Sequence, residues 1–350
     1  MLKPPSPPST LHTPGWQHYS VAFSPFHTNR LAVASAANYG LVGNGRLHLV
    51  SLGPGPGALP GLALDKFLIS YDTQDGLYDI AWSEIHENQL VTASGDGSIR
   101  LWDIMLKDLP IRAWQEHTRE VFSVDWSNIQ KDRFVSSSWD GTVKLWSPEH
   151  PRSLTTLHAH QMCVYQALFS PHQPDLVATC STDGSLKLFD IRAPAYAGGA
   201  NTFTRPTSAA ALTVPAAGTE VLSLDWNKYR PFVLASAGVD KVIKVWDCRM
   251  VKLGAGQEQV GGVCELPLVG HEYAVRKVQW SPHRPDVLAS SSYDMTCRVW
   301  STTPLPTGGH MLHINDAHTE FVAGCGWSLY DEGLLASCGW DCKLNMFHVR

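Results

Sequence analysis

One interval recurs six times along this chain. An aromatic residue (Trp82, Trp126, Phe169, Trp226, Trp280, Trp327) is followed 14 positions later by an aspartate (Asp96, Asp140, Asp183, Asp240, Asp294, Asp341). Six positions beyond each aspartate stands a second aromatic: Trp102, Trp146, Phe189, Trp246, Trp300 and Phe347. Fixed internal spacing marks a repeat architecture and takes precedence over local propensity. Between the landmarks the residues alternate as strands do, LVTAS then GDGSIRLWD, FVSSS then WDGTVKLWS, LVATC then STDGSLKLFD. Asp-Gly between two such runs makes a hairpin, because the turn needs positive φ and glycine adopts it without steric strain.

Each unit is therefore a small antiparallel sheet that cannot bury its own faces, and radial stacking of such sheets gives a β-propeller. A further unit precedes the six. It has Phe23 in the first landmark position, followed by RLAVASA, with Asn38 displaced from the aspartate position and no closing Trp. The expected fold is all-β, a seven-bladed propeller forming a single domain over 1–350, with blades at about 15–52, 66–109, 111–150, 154–193, 212–250, 264–303 and 311–350. The last unit ends at its third strand, LNMFHVR, which leaves an open edge. Residues 10–14, around Leu11 to Thr13, are expected to supply the missing strand and close the ring. The Gly-, Ala-, Pro- and Thr-rich stretches 52–61, 192–219 and 249–265 read as mobile loops between units.

Composition agrees with strands and turns, with 13 Trp among 28 Gly and 23 Pro. A net charge of -5 argues against nucleic acid as a partner, whose footprint is a basic surplus. The Pro- and Ser-rich N-terminus has no apolar signal core, and no run is long and apolar enough for a transmembrane segment, so a soluble, unsecreted protein is expected. The eight cysteines show no paired CxxC spacing and are expected to be reduced and mostly buried. No metal site is expected, either at Cys338 and Cys342 or at His158 and His160.

His117, His160, His271 and His318 each stand 9 residues before a landmark aromatic and 23 before the turn aspartates Asp140, Asp183, Asp294 and Asp341. With serines on the strand between, these are the groups of a hydrolytic triad. A catalytic constellation is needed once, and this one recurs in four units. The repetition points to a structural His–Asp network and to a protein that is not an enzyme and needs no cofactor.

GDGSIRLWD (95–103), WDGTVKLWS (139–147) and VDKVIKVWD (239–247) resemble WD-repeat proteins, a family of interaction platforms. A narrower resemblance lies in TPGWQHYSVAFSPFHTNRLAVASAANYGLVGNGRLHLV (13–50), with its Asn-Tyr-Gly where a WD turn belongs. Together with DGLYDIAWSE (75–84), EVFSVDWS (120–127), SSWDGTVKLW (137–146) and HEYAVRKVQWSPHRPDVLASSSYD (271–294), it is similar to the receptors for the type 2 peroxisomal targeting signal. The departures fall in 192–219 and 249–265 and at Ala217, which stands where other units carry the loop His. The resemblance implies a soluble import receptor that binds the N-terminal type 2 signal of matrix enzymes, thiolase above all. With a co-receptor it would carry them from the cytosol to the docking complex at the peroxisomal membrane, shuttling to the peroxisome.

The resemblance implies a signal that can form an amphipathic helix with its Arg, His and apolar residues on one side, so its receptor needs acidic groups and apolar surface. Asp75, Glu120, Glu220 and Glu320, just before the first strands, are the acidic candidates. Trp139, Tyr293 and Trp340, immediately before a turn aspartate, are aromatic anchors, and Tyr78, Phe122 and Tyr165 repeat an aromatic on the channel-lining face. The signal is expected to place its Arg near Glu120 or Asp75 and its leucines on Trp139 and Phe122. For each carboxylate the competing reading is a solvated loop end, for Trp139, Tyr293 and Trp340 it is packing between blades, and for Tyr78, Phe122 and Tyr165 it is filling of the core. A second function class is a substrate adaptor of a cullin-type ubiquitin ligase, suggested by Trp246-Asp247-Cys248-Arg249 and Phe189-Asp190-Ile191-Arg192.

Overall fold

A computed structural model describes residues 9–41, 43–54, 62–107, 109–192, 210–253 and 259–349. The fold among them is all-β, a ring of small antiparallel sheets. There are five four-stranded sheets and one of eight strands, whose two four-stranded halves meet at a single parallel pair, Thr213 with Val260. In each sheet the strand ending at a landmark aromatic is innermost, for instance Val121–Trp126, followed outward by Phe134–Ser138, Thr142–Trp146 and Thr155–His158. Sequence units and sheets are offset by one strand, because each unit opens with the outer strand of the sheet before it. Arg112–Gln115, for example, pairs with Ser98–Asp103 of the preceding unit.

The apolar clusters lie between neighbouring sheets. Trp82 and Trp102 pack with Ala32, Leu47 and Tyr71 of the first sheet, while Val21 and Phe23 of the first sheet pack with Leu334 and Met346 of the last. That last cluster closes the ring. The strand Ser9–His12 pairs antiparallel with Lys343–His348, Leu11 opposite Leu344, and completes the last sheet from the N-terminus. The closing tryptophans are buried and satisfy their indole N–H on a second-strand hydroxyl, as Trp146 does on Ser136 Oγ at 2.8 Å. A buried N–H left unmet would cost about 1–3 kcal/mol.

The hairpin turns after the aspartates require positive φ. Gly97, Gly141 and Gly184 supply it at 84°, 82° and 80°. A Cβ on Gly141 would stand 2.6 Å from the His160 carbonyl, so glycine there answers both conformation and space. Lys241, Met295 and Cys342 hold the same turn at 68°, 67° and 61° without being glycine.

The stretches read as loops are partly strands. Gly45–Pro54 and Leu62–Thr73 form a long hairpin across 52–61. Ile243–Leu253 and Gln259–Leu268 form another across 249–265, with Val251 paired to Gly261. Residues 212–215 are the strand Leu212–Pro215. Mutual hydrogen bonding extends these strands through sequence whose composition favours turns. The remainder of those stretches (55–61, 193–209, 254–258) lies outside the described residues. No helix among the described residues is long and apolar enough to cross a membrane.

Candidate functional site

Seven residues sit four positions before the landmark aromatics: Tyr19, Tyr78, Phe122, Tyr165, Leu222, Arg276 and Ala323. At each of them the register between the first and second strands slips by one residue. A bulge of this kind leaves one residue outside the ladder and re-aims its side chain. Here it turns these side chains toward the mouth of the central channel, where Tyr19, Tyr78, Phe122, Tyr165, Arg276 and Ala323 enclose only about 10 Å³. Toward the opposite face the channel widens to about 260 Å³. A ligand at this mouth meets a floor and must lie across it.

The floor is aromatic. Phe122 stacks on Trp139 with ring centres 4.6 Å apart and planes within 3°, and on Tyr78 at 4.7 Å. Tyr165 meets Phe122 edge-on at 5.3 Å, and Tyr78 meets Tyr19 at 5.0 Å. From Tyr19 the contacts run on to Trp340 at 5.8 Å, then Phe321 at 5.3 Å and Tyr293 at 4.7 Å from Phe321. The result is a horseshoe whose open side is the unit of Leu222 and Val239. Among the described residues the indole N–H groups of Trp139 and Trp340 are buried without a partner.

The structure brings the expected aromatics into one surface and adds five residues to it: Tyr19, Tyr39, Leu222, Arg276 and Phe321. Arg276 is the consequential addition. Its guanidinium lies 5.8 Å from the centre of the Phe122 ring and 5.6 Å from that of Tyr165, and its Nη1 donates to the Leu222 carbonyl at 3.4 Å. Its signal in the sequence was the position four before Trp280. Tyr39 comes from the Asn-Tyr-Gly turn, where Asn38, Tyr39 and Gly40 have φ of 49°, 57° and 70°. Tyr19 donates its hydroxyl to the Tyr39 carbonyl at 2.7 Å, which holds the turn over the mouth, and the Tyr39 ring packs on Trp340 at 5.5 Å.

The acidic candidates divide. Burial first, then Asp75 and Glu120, push the Tyr78 phenol up to about 12, so both carboxylates stand beside the floor. Asp75 occupies the space above Gly95, where a Cβ would come within 2.7 Å of Asp75 Oδ1. That explains why this turn lacks the large residue found at Trp139. Glu120 is engaged by Arg119 at 3.6 Å, and Arg119 also lies over the Trp139 ring at 5.4 Å. Tyr165 is likewise raised to about 12 by burial, with Arg276 opposing and Glu220 reinforcing. Glu220 is exposed, as is Glu320, which precedes Phe321 in the chain.

Behind the mouth lie the imidazoles. His117 Nδ1 is 3.0 Å from Asp140 Oδ2, and Nε2 is 2.7 Å from Ser136 Oγ. The Ser136 oxygen already accepts the Trp146 N–H, so its proton goes to Nε2 and the imidazole donates from Nδ1 to the carboxylate. His160–Asp183, His271–Asp294 and His318–Asp341 repeat the geometry at 2.7, 2.7 and 3.0 Å, on Thr179, Ser290 and Ser337. Burial raises the Asp140, Asp183 and Asp294 carboxyls, and the bonds from His and the turn hydroxyls more than offset it, holding each below the carboxylate range. At Ala217, where the His is missing, Lys244 bridges the Ala216 carbonyl and Asp240, both at 2.7 Å. Among the described residues no group of three or more His, Cys, Asp or Glu is arranged to hold a metal ion.

The repeat family described as WD domain, G-beta repeat matches residues 66–103, 109–147, 151–190, 211–247 and 262–301. Over nearly the whole chain there are closer likenesses. A peroxisomal targeting signal 2 receptor of Saccharomyces cerevisiae is 38% identical over 96% of this chain and 98% of its own length. One from Komagataella phaffii is 42% identical over 97% and 98%, and one from Mus musculus is 37% identical over 97% and 96%. This chain belongs to the peroxisomal targeting signal 2 receptor family. The family is one of WD-repeat β-propeller receptors and not of enzymes, and in four units of this member the His–Asp–hydroxyl groups join turn to strand.

Proposed function

We propose that this protein is a seven-bladed import receptor, the eight-stranded sheet being two blades, that binds the N-terminal type 2 signal of peroxisomal matrix enzymes. It delivers thiolase-like cargo, with a co-receptor, from the cytosol to the docking complex at the peroxisomal membrane, and so shuttles to the peroxisome. The observation that carries this reading is the closed aromatic floor of Tyr78, Phe122 and Trp139 with Asp75 and Glu120 at its edge. An amphipathic helix lying across the mouth sets its leucines on Phe122 and Trp139 and its Arg against Asp75 and Glu120. Arg276 is a fixed cation beside Tyr165, so it repels the signal Arg from that end and orients the helix. Tyr165, Glu220, Tyr293, Glu320 and Trp340 extend the surface around the rim. The His–Asp pairs hold the turns that present it.

The ubiquitin-ligase adaptor reading gains no support. The Arg192 and Arg249 guanidiniums fold back on Asp190 and Asp247, two residues earlier, at 2.6 and 2.5 Å, which gives the motif a local role. The decisive variant is the double charge reversal Asp75→Lys with Glu120→Lys, titrated by fluorescence anisotropy with an Arg-bearing type 2 signal peptide. Affinity is expected to fall at least about tenfold. Unchanged affinity would remove these two carboxylates from the site.

A further inference from the structure

The face of the ring opposite the aromatic floor carries the turns between first and second strands. Three positions past the landmark aromatic, four of these turns hold a side chain that bonds a carbonyl of the next unit. His172 Nε2 lies 2.9 Å from the Asn227 oxygen and His283 Nε2 3.1 Å from that of Ser328. Tyr229 donates to the Pro282 carbonyl at 2.7 Å, and Tyr330 donates to that of Pro25. The other three units are consecutive around the ring and carry Phe26, Ile85 and Ile129, side chains with no polar atom to make such a tether. They stand 40%, 46% and 40% exposed. The loop after Ser98–Asp103, the strand whose Asp103 lines the same groove as Ile85, adds Met105, Leu106 and Leu109, exposed by 70%, 50% and 73%. A groove of about 400 Å³ joins Phe26 and Ile85 to Glu87 and Asp103.

Charge supplies an independent argument. The third strands of two other units end Phe189-Asp190-Ile191-Arg192 and Trp246-Asp247-Cys248-Arg249, and in both the Arg neutralises the Asp. The corresponding segment here is Trp102-Asp103-Ile104-Met105. Asp103 Oδ1 accepts the Met105 N–H at 2.9 Å, and among the described residues no cation pairs with it. Exposed Glu87, in the turn before Gln89–Ser94, adds a second negative charge, and Lys107, in the loop after Asp103, makes no ion pair with either among the described residues. A carboxylate that lacks its usual Arg, bordered by exposed apolar side chains, is complementary to a cation carried on an apolar segment.

We propose that this groove docks an amphipathic segment of a partner protein, with a Lys or Arg of that segment taking on Asp103 the place that Arg192 and Arg249 fill in their own units. The surface lies on the opposite face from the signal site, so both can be occupied together, and it stands whether or not the signal reading does. The probes are two short amphipathic helical peptides, one of Leu and Arg, one of Leu and Glu. They are titrated into the full chain with isotope-labelled methionine methyls, Met105 being assigned through Met105→Leu. The Leu/Arg peptide is expected to shift the Met105 methyl saturably and the Leu/Glu peptide to leave it in place. Asp103→Asn weakens that response by about tenfold. Met105→Arg, which gives Asp103 a cation of its own, removes the same phase of binding read by peptide anisotropy. A Met105 methyl that neither peptide moves, equal responses to both, or a shift that appears on self-association without peptide would overturn the proposal.

Discussion

His18 and His48 are buried side chains of the first sheet, on Gln17–Phe23 and Gly45–Pro54. Burial, the largest influence on each, holds their pKa values down to about 4 and about 3. His18 is fixed between Thr13 Oγ at 2.6 Å and the Lys343 carbonyl at 3.1 Å, so it joins the N-terminal segment to the last strand. A folded pKa below the unfolded value means that stability is fully present above about pH 6.5 and is lost as pH falls toward the folded value, by about 1.4 kcal/mol per pH unit for each such imidazole. Asp140, Asp183 and Asp294, also depressed, act in the same sense in a lower window, below the ordinary carboxylate value. Urea-unfolding free energies measured from pH 7 to pH 4 are therefore expected to fall steadily, and His18→Gln to flatten that slope. A slope that the variant leaves unaltered would remove His18 as its source. At this scale the sequence revealed the repeated His and Asp, because their spacing is fixed by one hairpin. It concealed Arg276, because a charge four before Trp280 reads as solvent-facing until the bulge turns it into the channel mouth.

The strand Ser9–His12 shows what elements contribute beyond residues. Its four register pairs with Lys343–His348 remove the open edge, Thr10 Oγ donates to Asn345 Oδ1 at 2.7 Å, and Leu11 packs on the cluster between first and last sheets. Deleting residues 1–12 exposes that edge. The expected loss is about 2–4 kcal/mol in denaturant unfolding, with aggregation that scales with concentration. Wild-type stability in the truncated chain would show that the ring does not depend on this strand. The missing strand was legible because an unfinished unit advertises its open edge. The hairpins across 52–61 and 249–265 were not, since Gly, Pro and Ala there mask strands that exist through each other's hydrogen bonds. The Asn-Tyr-Gly turn was visible as an oddity, but its position above Trp340 follows from bonds to Tyr19 and Gln17 made 20 or more residues away.

Across the whole molecule, a ring of near-identical units acquires two unlike faces through the residues that break its periodicity. On one face bulged aromatics close the channel and carboxylates border them. On the other, four units tether their neighbours and three expose apolar side chains. Reading the landmarks gives the ring because every unit must solve the same burial problem. A binding surface depends on which units depart from the pattern, and only the assembled ring sets those departures side by side. The most direct test of the receptor account is a titration of the purified chain with a labelled type 2 signal peptide and with the same residues scrambled, each with and without an extract fraction supplying co-receptor. Saturable one-to-one binding of the signal is predicted, at least about tenfold tighter than the scrambled peptide and weakened by Phe122→Ala with Trp139→Ala. Equal binding of signal and scrambled peptides with the extract fraction present would contradict it.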